Sequence, residues 1–282
     1  GKWDDRPALV VTRVPDHLPH VLPIAVELKK THGLRSVFAV NDAVTRERAE
    51  AAGFEAINLY EEAPPNPVRL TTQAARFVAR VAAALPRLEP AGFEPIELAA
   101  IRPVTLRVVA QNASDLLRLA YGVDWFIGKA RPSLLLAANP YTTDGRVAWR
   151  IAAARGIPTA SVEHGTVFLN DPIWDECSVD VFCAWGEPSK QTLRANGLKE
   201  ERIAVTGAAY LDGFIRAFDG APCAPSIVVA TSGPGDLVSH DQHAAFIEML
   251  YESAAAAPEV RFVAKLHRKD RAELYAAAAA RH

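Results

Sequence analysis

Cysteine is scarce: the 282-residue chain has three, Cys177, Cys183 and Cys223, with no CxxC spacing among them. An odd, unpaired set argues against a disulfide framework and fits free thiols in a reducing compartment. No apolar run approaches the ~18 residues that a membrane-spanning helix requires, and residues Gly1 to Asp5 carry nothing like the apolar core of a signal peptide. A cytoplasmic location is expected, with room for peripheral contact at the inner face of a membrane. Neither charge is in surplus, since 31 Lys and Arg against 33 Asp and Glu leave a net charge of −2. Contact with nucleic-acid phosphate depends on clustered Lys and Arg, so no nucleic acid is expected as a partner.

Several chemical motifs are also missing. There is no HExxH, no Cys/His pair at zinc spacing and no DxD-type acidic pair on a loop. A metal-independent site without a cofactor is therefore the expectation. A GxSxG elbow, a GxGxxG fingerprint and a Walker A loop are absent too, which argues against serine hydrolases and the best-known dinucleotide and P-loop sites.

What is present is a globular composition, 50% hydrophobic and 23% charged, arranged in a βα rhythm. The run Ala8–Thr12 reads as a buried parallel strand, followed by a polar loop from Arg13 to His20 and an amphipathic helix ending at His32–Gly33. Pro23 suits that helix's first turn. Strand Ser36–Val40, a helix from Thr45 to Ala52 and a strand around Glu55–Leu59 complete a first βαβαβ set. Residues 71–129 turn helical, with interruptions expected at Pro86–Pro95 and around Pro103. The rhythm resumes with strands near 132–138, 158–162, 181–185 and 202–205. After a linker at 221–225, a new unit opens with strand Ser226–Ala230, a helix to about Ala256 and strand Arg261–Lys265. The expectation is an α/β chain with a parallel-sheet, Rossmann-like domain over 1–220 that includes the helical excursion 71–129. Residues 221–282 would be the start of a second Rossmann-like domain, because about 60 residues bury only a thin core.

In open α/β sheets, ligands gather beyond the carboxyl ends of the strands. Four loops there carry unusual residues. The first has Asp16, His17 and His20, and imidazole titrates near neutrality, so His20 is a candidate general base. The second is Glu163-His164-Gly165-Thr166, where Gly165 permits close approach of a substrate and Glu163 is placed to orient or charge the imidazole. The third, Thr231-Ser232-Gly233-Pro234-Gly235, offers backbone N–H groups to phosphate. The fourth, Lys265-Leu266-His267-Arg268-Lys269-Asp270, gathers cationic groups suited to a diphosphate.

Together these stretches resemble a family. Val11–Pro23 is similar to the N-terminal strand-loop-helix of GT-B glycosyltransferases. Ile157–Thr166 resembles the "GIPT…xHGT" segment of bacterial surface-polysaccharide transferases, a group that includes capsule glycosyltransferases and CDP-glycerol glycerophosphotransferases. Trp185-Gly186-Glu187 and Ile203–Asp212 resemble their "WG" and "VTG…D" strands, and Val263–Asp270 their donor-phosphate "KxHP" element, with Arg268 in place of proline. The resemblance implies a GT-B-like fold and a transferase moving a sugar or related group from a nucleotide-sugar donor to a polysaccharide or lipid-linked acceptor. It implies chemistry in a cleft, with His164 or His20 as base and Glu163 assisting. Thr231, Ser232, Gly233, Lys265 and His267 would hold donor phosphate, and Asp16, His17, Gly165 and Thr166 would lie on the acceptor side. Two alternatives stand beside it. One is an enzyme like UDP-N-acetylglucosamine 2-epimerase, although the tract reads "EHGT" rather than "HxEAG". The other is a non-catalytic nucleotide-sugar-binding module.

Overall fold

Alternate residues of the first strands bury on opposite sides, and that sets the architecture. The computed structural model describes residues 6–12, 15–61, 66–87, 95–140, 142–169, 174, 177, 179–218, 220, 225–235, 238–267 and 270–282. The chain divides into two compact units, Gly1–Ile215 and Arg216–His282.

In the first unit, seven strands form one parallel sheet: β1 (Ala8–Val11), β2 (Ser36–Val40), β3 (Glu55–Asn58), β4 (Leu134–Ala137), β5 (Thr159–Val162), β6 (Val181–Ala184) and β7 (Ile203–Val205). Their order is β3-β2-β1-β4-β5-β6-β7. The winding reverses between β1 and β4, which is the switch point where such sheets open a crevice.

Every residue of β1 and β2 is buried, as expected for strands covered on both faces. Leu9, Val11, Val37 and Ala39 pack with Leu135 and Ala137 on one side; Val10, Phe38 and Val40 pack with Leu136 on the other. The first side is covered by α4 (Pro95–Ala130), through Leu119, Val123, Phe126 and Ile127, and by α5 (Thr143–Ala154), through Ala148, Trp149 and Ala152. The second is covered by α1 (Leu18–His32), through Leu18, Val21 and Ala25, and by α2 (Ala43–Ala51), through Ala49.

The helix after β1 starts at Leu18, so Pro23 lies in its second turn rather than its first. Within the excursion, α3 (Pro67–Ala84) is followed by a short 3-10 turn at Leu85–Arg87. Contrary to expectation, Pro103 does not interrupt the next helix, since α4 runs through it. Four helices of this unit, α1, α2, α5 and α6 (Glu187–Ala195), are followed within two residues by a left-handed glycine: Gly33, Gly53, Gly156 and Gly197. Among the described residues, no helix is long and apolar enough to cross a membrane.

A short helix α7 (Asp212–Ala217) spans the boundary between the units. The second unit pairs β8 (Ser226–Ala230) with β9 (Arg261–Lys265) in parallel, with α8 (His240–Ala256) between them and α9 (Ala272–Ala279) after. Ile247, Tyr275 and Ala278 form its small core. Most of the expected linker, residues 221–224, lies outside the described residues, as do 13, 14, 268 and 269 of the expected site loops.

Candidate functional site

Parallel strands point their carboxyl ends to one rim, and the first unit's histidines gather there. His17 closes the 3-10 turn Pro15–His17 after β1 and is buried; His20 follows in the first turn of α1. His164 comes two residues after β5. The ring centroids of His17 and His164 are 4.9 Å apart, and those of His20 and His164 are 6.3 Å apart. Asn139, just beyond β4, places Nδ2 2.9 Å from His164 Nε2. An amide nitrogen only donates, so Nε2 accepts and the ring carries its proton on Nδ1.

His20 borders a different space. Its ring lies 4.6 Å from Tyr210 and is stacked at 6.0 Å on Trp185. These three, with Val162, Cys183 and Thr206, line a cavity of about 210 Å³. Burial lowers the His20 pKa below its ordinary 6.5. It does the same for His164, helped by the neighbouring His20 charge. Both imidazoles are thus held neutral near pH 7, the form that accepts a proton. Burial also pushes the Cys183 thiol up, against a hydrogen bond with Thr206.

Glu163 does not serve His164 as expected. Its carboxylate is buried and accepts the Trp185 N–H at 2.6 Å and the Ser189 hydroxyl at 2.7 Å. It thereby anchors the start of α6, where the helix dipole favours negative charge. Consecutive residues of an extended chain project to opposite sides, so the neighbour in sequence is not the neighbour in space. Asp16 and Thr166 are exposed and Gly165 half-buried.

A second, larger cavity of about 700 Å³ lies farther along this rim, lined by Asn41, Tyr60, Asn112, Asp115, Asp144 and Arg146 among others. Among the described residues, no three His, Cys, Asp or Glu side chains are grouped so as to hold a metal ion.

In the second unit, the loops after β8 and β9 meet. The Thr231 N–H donates to the Lys265 carbonyl at 3.1 Å, and the Thr231 hydroxyl oxygen accepts the His267 N–H at 3.0 Å. Gly233 is buried with φ +67°, a left-handed conformation that glycine takes at least cost. Ser232 and Lys265 are exposed and His267 is half-buried. The N-terminus of α8 closes on itself, since the Ser239 hydroxyl accepts from the Gln242 N–H and the Gln242 side chain accepts from the Ser239 N–H.

No protein-family model matches the chain, and no curated protein does. Solved structures do match. One is a UDP-GlcNAc 2-epimerase from Neisseria meningitidis bound to UDP-GlcNAc, with 13% identity over 96% of this chain and 68% of that one and a TM-score of 0.55. Another is a putative UDP-N-acetylglucosamine 2-epimerase from Listeria monocytogenes, with 11% identity over 98% and 67% and a TM-score of 0.58. A third is a glycosyltransferase from Rickettsia africae, with 11% identity over 98% and 71% and a TM-score of 0.51. The chain has a GT-B-like fold. At these identities the likeness speaks for the fold alone.

On this GT-B-like frame, His17, His20 and His164 come together in one unit, and Thr231, Lys265 and His267 in the other. Sequence reasoning missed Asn139, which opens a loop after an apolar strand but carries no titratable group to attract notice. It also missed Trp185 and Tyr210 as walls of the His20 cavity, although both lie in stretches that carried the family resemblance.

Proposed function

We propose that this chain transfers a sugar, or a related group, from a nucleotide-activated donor to a hydroxyl of a polysaccharide or lipid-linked acceptor. The observation that carries the reading is His20: a neutral, half-buried imidazole beside an aromatic-walled cavity at the carboxyl rim of a Rossmann-like sheet. Of the two candidate histidines, His164 has its Nε2 lone pair engaged by Asn139, which leaves His20 the better base. Its ring would take the acceptor proton as the acceptor oxygen bonds to the anomeric carbon. The bond from that carbon to the diphosphate oxygen breaks, and its electron pair leaves with the diphosphate. Trp185 and Tyr210 offer faces for the C–H surface of a sugar. In the second unit, Ser232, Lys265 and His267 would neutralise charge on the diphosphate.

An epimerase is the second reading, favoured by the two epimerase structures of similar fold. The two reactions differ at one atom, because C2 epimerisation exchanges the C2 proton whereas glycosyl transfer leaves it in place. The protein is incubated with UDP-N-acetylglucosamine in D₂O, with and without a glycan acceptor, and followed by NMR. Transfer predicts UDP release that rises with acceptor and no deuterium at C2. Deuterium at C2 without an acceptor would replace the transferase by the epimerase.

A further inference from the structure

One carboxylate organises the second unit. The Asp270 side chain is fully buried, and four donors converge on it. Oδ2 accepts the Thr231 hydroxyl, and also the His267 N–H at 2.6 Å. Oδ1 lies 2.7 Å from His243 Nε2 and 3.3 Å from the Tyr275 hydroxyl. The donors come from four places: the loop after β8, the loop after β9, the first turns of α8, and α9. His243 and Tyr275 are themselves buried and lie within 3.4 Å of each other.

A buried carboxylate persists as an ion only where donors replace the lost water. Burial alone would raise the Asp270 pKa; the hydrogen bonds from Thr231, His267 and His243 outweigh it and hold the carboxyl below its ordinary value. The folded network is therefore charged. It touches the loop residues expected to face a ligand through the Thr231 hydroxyl and the His267 backbone, leaving the His267 ring outside this set of bonds. Four donors compensate this carboxylate, and losing one of them would leave part of a buried charge unmatched, so the network ties its four sources to one geometry.

We propose that Asp270 is the latch that fixes the loops after β8 and β9 in a single arrangement, making it a positioning residue for the group those loops bind. Thr231 then belongs to the latch rather than to the phosphate contacts, and His243 and Tyr275 hold the latch from behind. The ligand side of this inference rests on the reading that these loops take a donor diphosphate; the latch itself does not.

Hydrogen exchange and nucleotide titration on the whole chain separate the two. Asp270→Asn keeps the shape of the side chain and removes its charge. The amides of Thr231 and His267 are expected to exchange about tenfold faster or more in this variant, while the interior of α8 keeps its protection. Thr231→Val should reproduce that pattern and Thr231→Ser should restore the wild-type one, because only the hydroxyl matters. Should Asp270→Asn fail to fold, Tyr275→Phe removes one donor and leaves the ring in the core, and it should loosen the same two amides to a smaller degree. Unchanged exchange at both amides overturns the latch, as does loosening spread evenly over α8 and β9. With UDP as the probe, the wild type should bind and Asp270→Asn should bind about tenfold more weakly or worse. A wild type that ignores UDP, with the exchange pattern intact, overturns the diphosphate reading and leaves the latch standing.

Discussion

An imidazole works as a base only in its neutral form, and burial secures that form for His20 at the cost of some basicity. The acid limb of any rate profile should therefore lie below pH 6.5, because the His20 pKa is lowered. Above that value the rate should be flat with respect to this group. Replacing His20 with Gln should reduce kcat by about 10²- to 10⁴-fold and abolish the acid limb. A limb that persists unchanged in His20→Gln would assign the proton transfer elsewhere, with His164 next in line. At this scale the sequence revealed residues that titrate and concealed those that do not. His17, His20 and His164 stand out because each follows an apolar strand, where polar side chains attract attention. Asn139 does not, and neither does the destination of the Glu163 carboxylate, which depends on β6 lying beside β5 in the sheet rather than on chain order.

Helix α5 shows how an element can be fixed by a single missing atom. A Cβ on Gly145 would lie 2.2 Å from the Asn139 carbonyl oxygen, deep inside van der Waals contact. Alanine is the better helix former by about 1 kcal/mol, yet the clash must push the helix start away from the loop after β4. Gly145→Ala is expected to lose about 1–3 kcal/mol net, read by urea unfolding. The same shift should move Asn139 and so the ring resonances of His164; a variant more stable than wild type would show that the loop yields freely. Most elements were legible because apolar runs and helical spacing agree with local propensity. The exception is α4. Proline in a helix interior removes one hydrogen bond and crowds the preceding turn, about 3 kcal/mol by itself. The helix nonetheless continues, anchored beyond Pro103 by Leu119, Val123, Phe126 and Ile127, which are buried against the sheet. That tertiary packing is invisible to a local reading.

For the molecule as a whole, the parallel sheet was foreseeable, whereas the strand order that places its switch point between β1 and β4 was not. Order depends on which edge each new strand joins, and short-range pattern carries little of that information. The first unit's shared rim has a thermodynamic consequence. His20 and His164 both have lowered pKa values in the fold and regain the ordinary 6.5 when the chain unfolds. The unfolded state then binds more protons as the pH falls, so stability is full above about 6.5 and declines below it until the folded forms also protonate. Urea unfolding of the first unit at pH 7.5, 6.5 and 5.5 should show this decline. A His20→Gln, His164→Gln double variant should flatten it, and an equal slope in both proteins would count against burial as the cause.

The left-handed glycines at 33, 53, 156 and 197 lie where helices turn back toward the amino edges of the next strands. The three histidines and the chain reversals thus lie at opposite ends of one layer. A peptide tag, a fluorophore or a surface attachment grafted into those four turns would sit at the end of the sheet away from His17, His20 and His164. An immobilised form of the protein made in this way would be tethered at the end of the sheet opposite the His20 cavity.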